Sequence, residues 1–359
     1  MIRDYQRHNR VYESEIGFPI ECEAISKIIS GGDFLNVRAF ENKIVFEADY
    51  LMGVIDFDTK EEIYRIESKS YFDVPKSVDN DVAYMIAHGR PAAINLTNGQ
   101  IIWDINNEEL ILGASTSSIY CYDGKGNRNI LISRSKKTGE ISWENASIEG
   151  SIGDMAFEND SLMLLSSAKL YRIDITNGCV KWSLTVDELS KKKEKRIESV
   201  RLLINLGPLI DGVQYLSVTN GPLCAVNILT GEIIWESRFE IPTFPHNIFY
   251  HDSTLIFDYF QGFGKENCYF IVAADSGKLL FRSEEMISPK GSAFPIITNG
   301  YVVGGNEEYL SFFDIEKKSF TYRYKQPNKA KIFNFIQPYK NKFIAWNAKE
   351  KEIYWFKTK

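Results

Sequence analysis

Histidine is scarce in this 359-residue chain, and so is cysteine, with four of the first and five of the second. His8, His88, His246 and His251 show no spacing that would pair two of them on a metal, so each is read as structural or surface histidine and no metal site is expected. Cys22, Cys121, Cys179, Cys224 and Cys268 are scattered and never adjacent. They are read as buried or half-buried free thiols rather than a disulfide frame. No apolar run reaches the roughly 18 residues of a membrane-spanning helix. The first ten residues, polar and charged, have no apolar stretch of signal-peptide length, and a cytoplasmic protein is expected. Positive charge is not in excess either. A net charge of -6 argues against nucleic acid and anionic membrane as partners and favours a neutral or basic protein.

Catalytic signatures are missing as well. There is no His-Glu-x-x-His, no Gly-x-Ser-x-Gly, no phosphate loop ending Gly-Lys-Ser/Thr and no dinucleotide fingerprint, so no catalytic or cofactor-binding residue is assigned and no cofactor is expected. Adjacent carboxylates occur at Glu61-Glu62, Glu108-Glu109, Glu284-Glu285 and Glu307-Glu308. Neighbours on a strand point to opposite faces, so these pairs are read as solvated loop charge and not as an acid/base couple.

What the chain does have is aromatic residues in a fixed place. Ala93-Ile-Asn-Leu-Thr-Asn-Gly-Gln-Ile-Ile-Trp103, Ile173-Asp-Ile-Thr-Asn-Gly-Cys-Val-Lys-Trp182 and Val226-Asn-Ile-Leu-Thr-Gly-Glu-Ile-Ile-Trp235 share one pattern: strand, turn ending in Gly, strand with Trp four residues later. Ser135 to Trp143 repeats it, Ala273 to Phe281 carries Phe, and weaker copies at Asp56 to Tyr64 and Asp314 to Tyr322 put Lys60 and Lys318 in the Gly place. Glycine supplies the left-handed backbone a tight turn requires, and alternating apolar residues on either side define strands. The aromatic then serves as a wedge against the next unit. Tyr64, Trp103, Trp143, Trp182, Trp235, Phe281 and Tyr322 are spaced by 39, 40, 39, 53, 46 and 41 residues, a period of one four-stranded sheet per repeat.

An eighth copy is divided between the chain ends. Ile353 to Lys359 aligns with Val54 to Lys60 and stops at the turn, whereas Arg10 to Ile16 resembles the outer strand Ile233 to Phe239 and puts Tyr12 in the wedge position. The fold expected is therefore all-β: an eight-bladed β-propeller of four-stranded antiparallel blades, closed by an N-terminal strand that completes the C-terminal blade. It is read as one domain over 1–359, with residues 9–16 as the outer strand of the last blade. Blades end near 66, 105, 145, 185, 238, 283 and 325, and the last spans 330–359.

The repeated Asp-x-x-Thr-Gly-x-x-x-Trp resembles the tryptophan-docking repeat of PQQ-like propellers, the group of quinoprotein dehydrogenases and the outer-membrane assembly lipoprotein. The resemblance implies the fold over essentially the whole chain. The adjacent Cys-Cys, calcium ligands and catalytic Asp of the dehydrogenases have no match here, nor does the lipidated Cys of the assembly lipoprotein.

Irregular loops point to the binding side. With strands running A to D outward, B–C and D–A loops share a face. On it lie the insertion Thr185 to Val200 with Lys191, Lys192, Lys193, Lys195 and Arg196, the segment Pro242 to His246 with Phe244, and the loop Tyr259 to Glu266 with Phe260 and Phe263. Phe244, His246, Tyr259, Phe260 and Phe263 with the basic run form the expected protein-binding sector over blades four to six, and the glutamates at 108, 109, 284, 285, 307 and 308 form an acidic arc. The function expected is a non-enzymatic protein-binding propeller, such as a cytosolic inhibitor or immunity protein capping an enzyme or toxin. A small-molecule sensor or enzyme using the channel and an assembly scaffold are the alternatives.

Overall fold

The computed structural model describes residues 20–28, 36–40, 42–48, 50–69, 71–73, 75–124, 129–158, 160–185, 204–218, 222–239, 245–259, 268–283, 293–298, 300–305, 309–325, 335–339, 342–347 and 350–358. Every regular element among them is a strand, and the strands make eight four-stranded antiparallel sheets. The protein is an all-β, eight-bladed propeller. Seven blades use consecutive strands, with outer strands ending at Glu67, Asp104, Asn145, Thr185, Ser237, Arg282 and Lys325. The chain divides into two compact units, one of 115–135 and 140–286, the other of 11–114, 136–139 and 287–359.

Within each unit the core lies between blades. Met163, Leu165 and Leu170 of blade 4 pack on Leu206, Leu216, Val218, Cys224 and Val226 of blade 5. Val45, Met52 and Val54 of blade 1 pack likewise on Ala83, Met85, Ala92 and Ile94 of blade 2. Each fully buried side chain of this size stabilises by about 1.5–3 kcal/mol, so alternation along the middle strands is what holds neighbouring sheets face to face.

The repeat's chemistry is visible atom by atom. The Asp or Asn that opens the turn accepts peptide N–H groups two or three residues on: Asp56 Oδ1 from Asp58 and Thr59, Asp174 Oδ1 from Thr176, Asn227 Oδ1 from Leu229 and Thr230. Gly99, Gly139, Gly178, Gly231 and Gly277 all have left-handed φ, between 66° and 76°, and Lys60 and Lys318 adopt the same conformation at 65° and 55°. A Cβ on Gly178 would stand 2.4 Å from Trp143, so the glycine is also the floor on which the indole lies. The indole N–H then donates to the carbonyl just after the turn-opening residue: Trp103 to Lys136, Trp143 to Ile175, Trp182 to Ile228 and Trp235 to Ala274, all at 2.8–2.9 Å.

A bulge aims each aromatic. In all seven continuous blades the outer strand skips one residue immediately before the aromatic: Ile63, Ile102, Ser142, Lys181, Ile234, Leu280 and Thr321 have no partner in the register. A bulge bends the strand and turns the following side chain. Ile63, Ile102, Ile234 and Leu280 are exposed as a result.

The last blade departs from the expectation. Its fourth strand is Ile20–Lys27, paired with Glu352–Thr358, and not residues 9–16; Tyr12 lies outside the described residues. The pairing has the same bulge, at Glu23, which puts Ala24 where other blades have the aromatic. Bulk comes from the partner strand instead. Trp355, opposite Ala24, donates to Ser26 Oγ at 2.8 Å and meets Phe57 of blade 1 edge-on, while Glu23 pairs with Lys60 at 3.2 Å.

Candidate protein-binding face

Blades 1 and 2 present their B–C turns and the connections to the next blades on one side, and these segments are tied to one another. His88 and Gly89 form a two-residue hairpin turn with φ of 53° and 76°, the left-handed pair such turns use. His88 holds this conformation because its ring rests on buried Phe72, centroids 5.0 Å apart, and its Nδ1 bonds the Ser68 hydroxyl. The Gly89 N–H donates to the Tyr71 carbonyl and the Ser68 N–H to that of Tyr50; further along, the Asp73 N–H reaches the carbonyl of Ile86. Beneath them Arg38 is buried with one guanidinium nitrogen on the Pro75 carbonyl at 3.0 Å; burial pulls its pKa down to about 10 against the pull of Asp73.

With its backbone fixed, this side leaves two tyrosine rings out in solvent, Tyr50 at 59% and Tyr71 at 49% exposure. Partial burial, then the charges of Asp73 and Glu108, pushes the Tyr71 phenol above its ordinary pKa. Glu108 stands on a braced loop in which Asn107 accepts the Glu108 N–H and donates its amide to Glu109. Glu109, expected as solvated charge, is only 1% exposed: it immediately precedes Leu110–Ala114, the inner strand of blade 3, and Asn107 satisfies one oxygen. Glu108 next to it is exposed.

Of the sector expected over blades four to six, Lys191, Lys192, Lys193, Lys195, Arg196, Phe244, Phe260 and Phe263 lie outside the described residues, and His246 and Tyr259 are described only as backbone positions in the strands Pro245–His251 and Thr254–Tyr259. Glu284, Glu285, Glu307 and Glu308 are likewise outside. Tyr64, Trp103, Trp143, Trp182, Trp235, Phe281 and Tyr322 each sit in a blade's outer strand. Among the described cysteines Cys121 and Cys224 are buried and Cys22 half-buried, but Cys179 is exposed, because the turn before Trp182 projects it outward. Sequence reasoning missed Tyr50 and Tyr71. Tyr50 stands on a tight turn and Tyr71 in the connection between Glu67 and Ser77, and the signal was only an aromatic beside a turn.

Blade 4 carries a buried carboxyl. Asp154 Oδ1 accepts the Met155 N–H at 2.8 Å, and Oδ2 is buried without a hydrogen-bond partner among the described residues. Desolvation raises its pKa well above the carboxylate range, and the N–H groups of Met155 and Leu206 offset this only in part. A carboxyl whose folded pKa is raised binds its proton more tightly in the folded state. Stability is then highest below the unfolded pKa of about 3.9 and falls as pH rises from there toward the folded value. Asp154→Asn, which copies the protonated form, is expected to raise stability at pH 8 by on the order of 1 kcal/mol and to change nothing below about pH 4. Thermal melts of both proteins across pH check this.

Comparison with known proteins places the architecture. Residues 87–243 match the sequence model of a family described as outer membrane protein assembly factor BamB. An uncharacterized protein of Rickettsia prowazekii (strain Madrid E) is 27% identical over 159 residues, 40% of this chain and 37% of that relative's length. BamB from Moraxella catarrhalis superposes with a TM-score of 0.68 at 12% identity, over 94% of this chain and 100% of its own. The computationally designed Ika8 protein gives 0.70 at 13%, over 92% and 98%. Quinohemoprotein alcohol dehydrogenase from Comamonas testosteroni gives 0.68 at 11%, over 99% and 78%. The class so defined is the eight-bladed β-propeller. More particularly, its docked tryptophans and the match over residues 87–243 make the chain similar to PQQ-like β-propellers.

Proposed function

We propose that this propeller is a non-enzymatic, protein-binding scaffold of the cytosol, which caps a partner enzyme or toxin as an inhibitor or immunity protein. The observation that supports binding is the exposure of Tyr50 and Tyr71, 59% and 49%, on backbone that is hydrogen-bonded in place. Rigid exposed tyrosines supply contact area at small entropic cost, which is why they anchor interfaces. An assembly scaffold is the second reading, favoured by the match to a family described as an assembly factor. The test starts from the full chain as bait, with its partner identified by mass spectrometry and purified. The double variant Tyr50→Ala/Tyr71→Ala is expected to weaken the reconstituted complex at least about 30-fold, the effect of a hot spot. Leu229→Ala, at a similarly exposed apolar residue of a C–D turn in blade 5, serves as the control and is expected to change nothing. Unchanged affinity in the tyrosine variant, or turnover of a small molecule by the isolated protein, defeats the reading.

A further inference from the structure

The carboxyl of Asp154 lies in the seam between blades 4 and 5, where little is available to an ionised group. A bulge at Gly153 precedes it, and Asp154 then alternates with Ala156 and Glu158 on one face of the inner strand Ile152–Glu158. Ala156 packs with Leu165, Leu206 and Leu216, so this face is turned to blade 5. Both carboxyls on it reach that blade. Glu158, half-buried at the end of the strand, accepts the Gly212 N–H with its two oxygens, at 3.1 and 3.0 Å. Asp154, 5% exposed, accepts the N–H of Leu206 as well as that of Met155, and its Oδ2 has no hydrogen-bond partner among the described residues. Gln214, on the face of its strand that carries Leu216 and Val218 into the same seam, has no donor to spare. Its Nε2 is committed to the carbonyls of Gly207 and Tyr215, and its Oε1 is a second buried acceptor without a partner among the described residues. The strands packed against Asp154, Ser161–Ser166 and Ile204–Ile210, contain no titratable residue, and on its own strand there is Glu158 alone. The described side of the seam therefore offers acceptors and no spare donor, which suits a protonated carboxyl and not a carboxylate.

We propose that Asp154 is a proton-operated joint between blades 4 and 5, closed while the carboxyl keeps its proton and opened when the proton leaves to water. The carboxylate then draws solvent into the seam, and the Leu206 N–H is released. The joint is closed at low pH and opens as pH rises. In sequence the strand so released, Ile204–Ile210, comes straight after the insertion that carries the basic run Lys191 to Arg196. The joint thus governs where the chain re-enters the sheet after that insertion.

The test follows amide exchange of the full chain by NMR across pH, each rate being divided by the intrinsic rate at that pH. Protection at Leu206 is expected to fall at least about 5-fold between about pH 4 and pH 8, while Leu223–Asn227, the third strand of blade 5, stays within about twofold. Asp154→Asn, which cannot ionise, is expected to hold Leu206 within about twofold over the same range. A second readout needs no variant. Infrared spectra of the protein labelled with carbon-13 aspartate are expected to show a carboxylic-acid band that outlasts those of the other aspartates as pH rises, and that disappears as Leu206 loses protection. Leu206 protection indifferent to pH, an equal fall in Asp154→Asn, an equal fall throughout blade 5, or the absence of such a band overturns the proposal.

Discussion

Replacing Trp143 with alanine lowers the unfolding free energy by about 3–5 kcal/mol, the range for removing a buried aromatic. The indole is 9% exposed, lies over Gly178, donates to the Ile175 carbonyl at 2.8 Å and meets Tyr120 at 5.9 Å between centroids. Its loss opens a cavity between blades 3 and 4 and leaves the Ile175 carbonyl without its donor. Trp143→Phe restores the ring contact without the N–H, and about 1 kcal/mol of deficit is expected to remain, the worth of one hydrogen bond. Denaturant unfolding of the three proteins checks both values. A loss below about 1 kcal/mol for the alanine variant, ordinary for a surface substitution, would show that the docked aromatic does not hold the blades.

The second large effect is expected where the chain ends meet. Trp355→Ala removes a side chain that is 2% exposed, bonded to Ser26 and packed on Phe57, again at a cost of about 3–5 kcal/mol. The consequence differs in place. Ala24 opposite is small, and Ile20–Lys27 then keeps its ladder, the Glu23–Lys60 pair and the packing of Cys22 and Ala24 on the neighbouring core. That pair, about a quarter exposed on each side, contributes little, about 0–1 kcal/mol. Amide exchange in Ile20–Lys27 is therefore expected to accelerate more than in any outer strand of the continuous blades. Uniform acceleration across all blades contradicts a seam held locally by Trp355.

The seven continuous blades were legible because each repeats a demand that few residues meet, a residue tolerant of left-handed φ with an aromatic at fixed distance after it, and in five of them an Asp or Asn opens the turn. Lys60 and Lys318 were legible as turn residues for the same reason, since their neighbours kept the pattern. The eighth blade was misread because the search was for an aromatic on the outer strand. There the small and large residues have changed places, Ala24 on the outer strand and Trp355 on its partner. Tyr12 attracted the alignment through its neighbours Glu13 and Ser14, which match Glu236 and Ser237 in sequence. The bulge before every aromatic was invisible, since an extra residue in one strand leaves no trace in a run of apolar residues. Long and unusual loops directed attention to blades four to six, whereas Tyr50 stands on a tight turn and Tyr71 in the connection between Glu67 and Ser77. What makes them a surface is hydrogen bonding to residues on other strands, which spacing alone does not reveal. Glu109 was read as loop charge for a similar reason: its burial depends on where the inner strand of blade 3 begins.

The whole account depends on an aromatic of one blade lying on the glycine of the next, and a double-mutant cycle between Trp143 and Gly178 measures this directly. Gly178→Ala alone suffers both the left-handed φ, about 1–2 kcal/mol, and the collision with the indole. In the Trp143→Ala background only the first cost remains, so the two substitutions together are expected to cost about 1–3 kcal/mol less than their sum. Additivity within about 0.5 kcal/mol would mean that the two residues do not touch, and would contradict the docking that joins the blades.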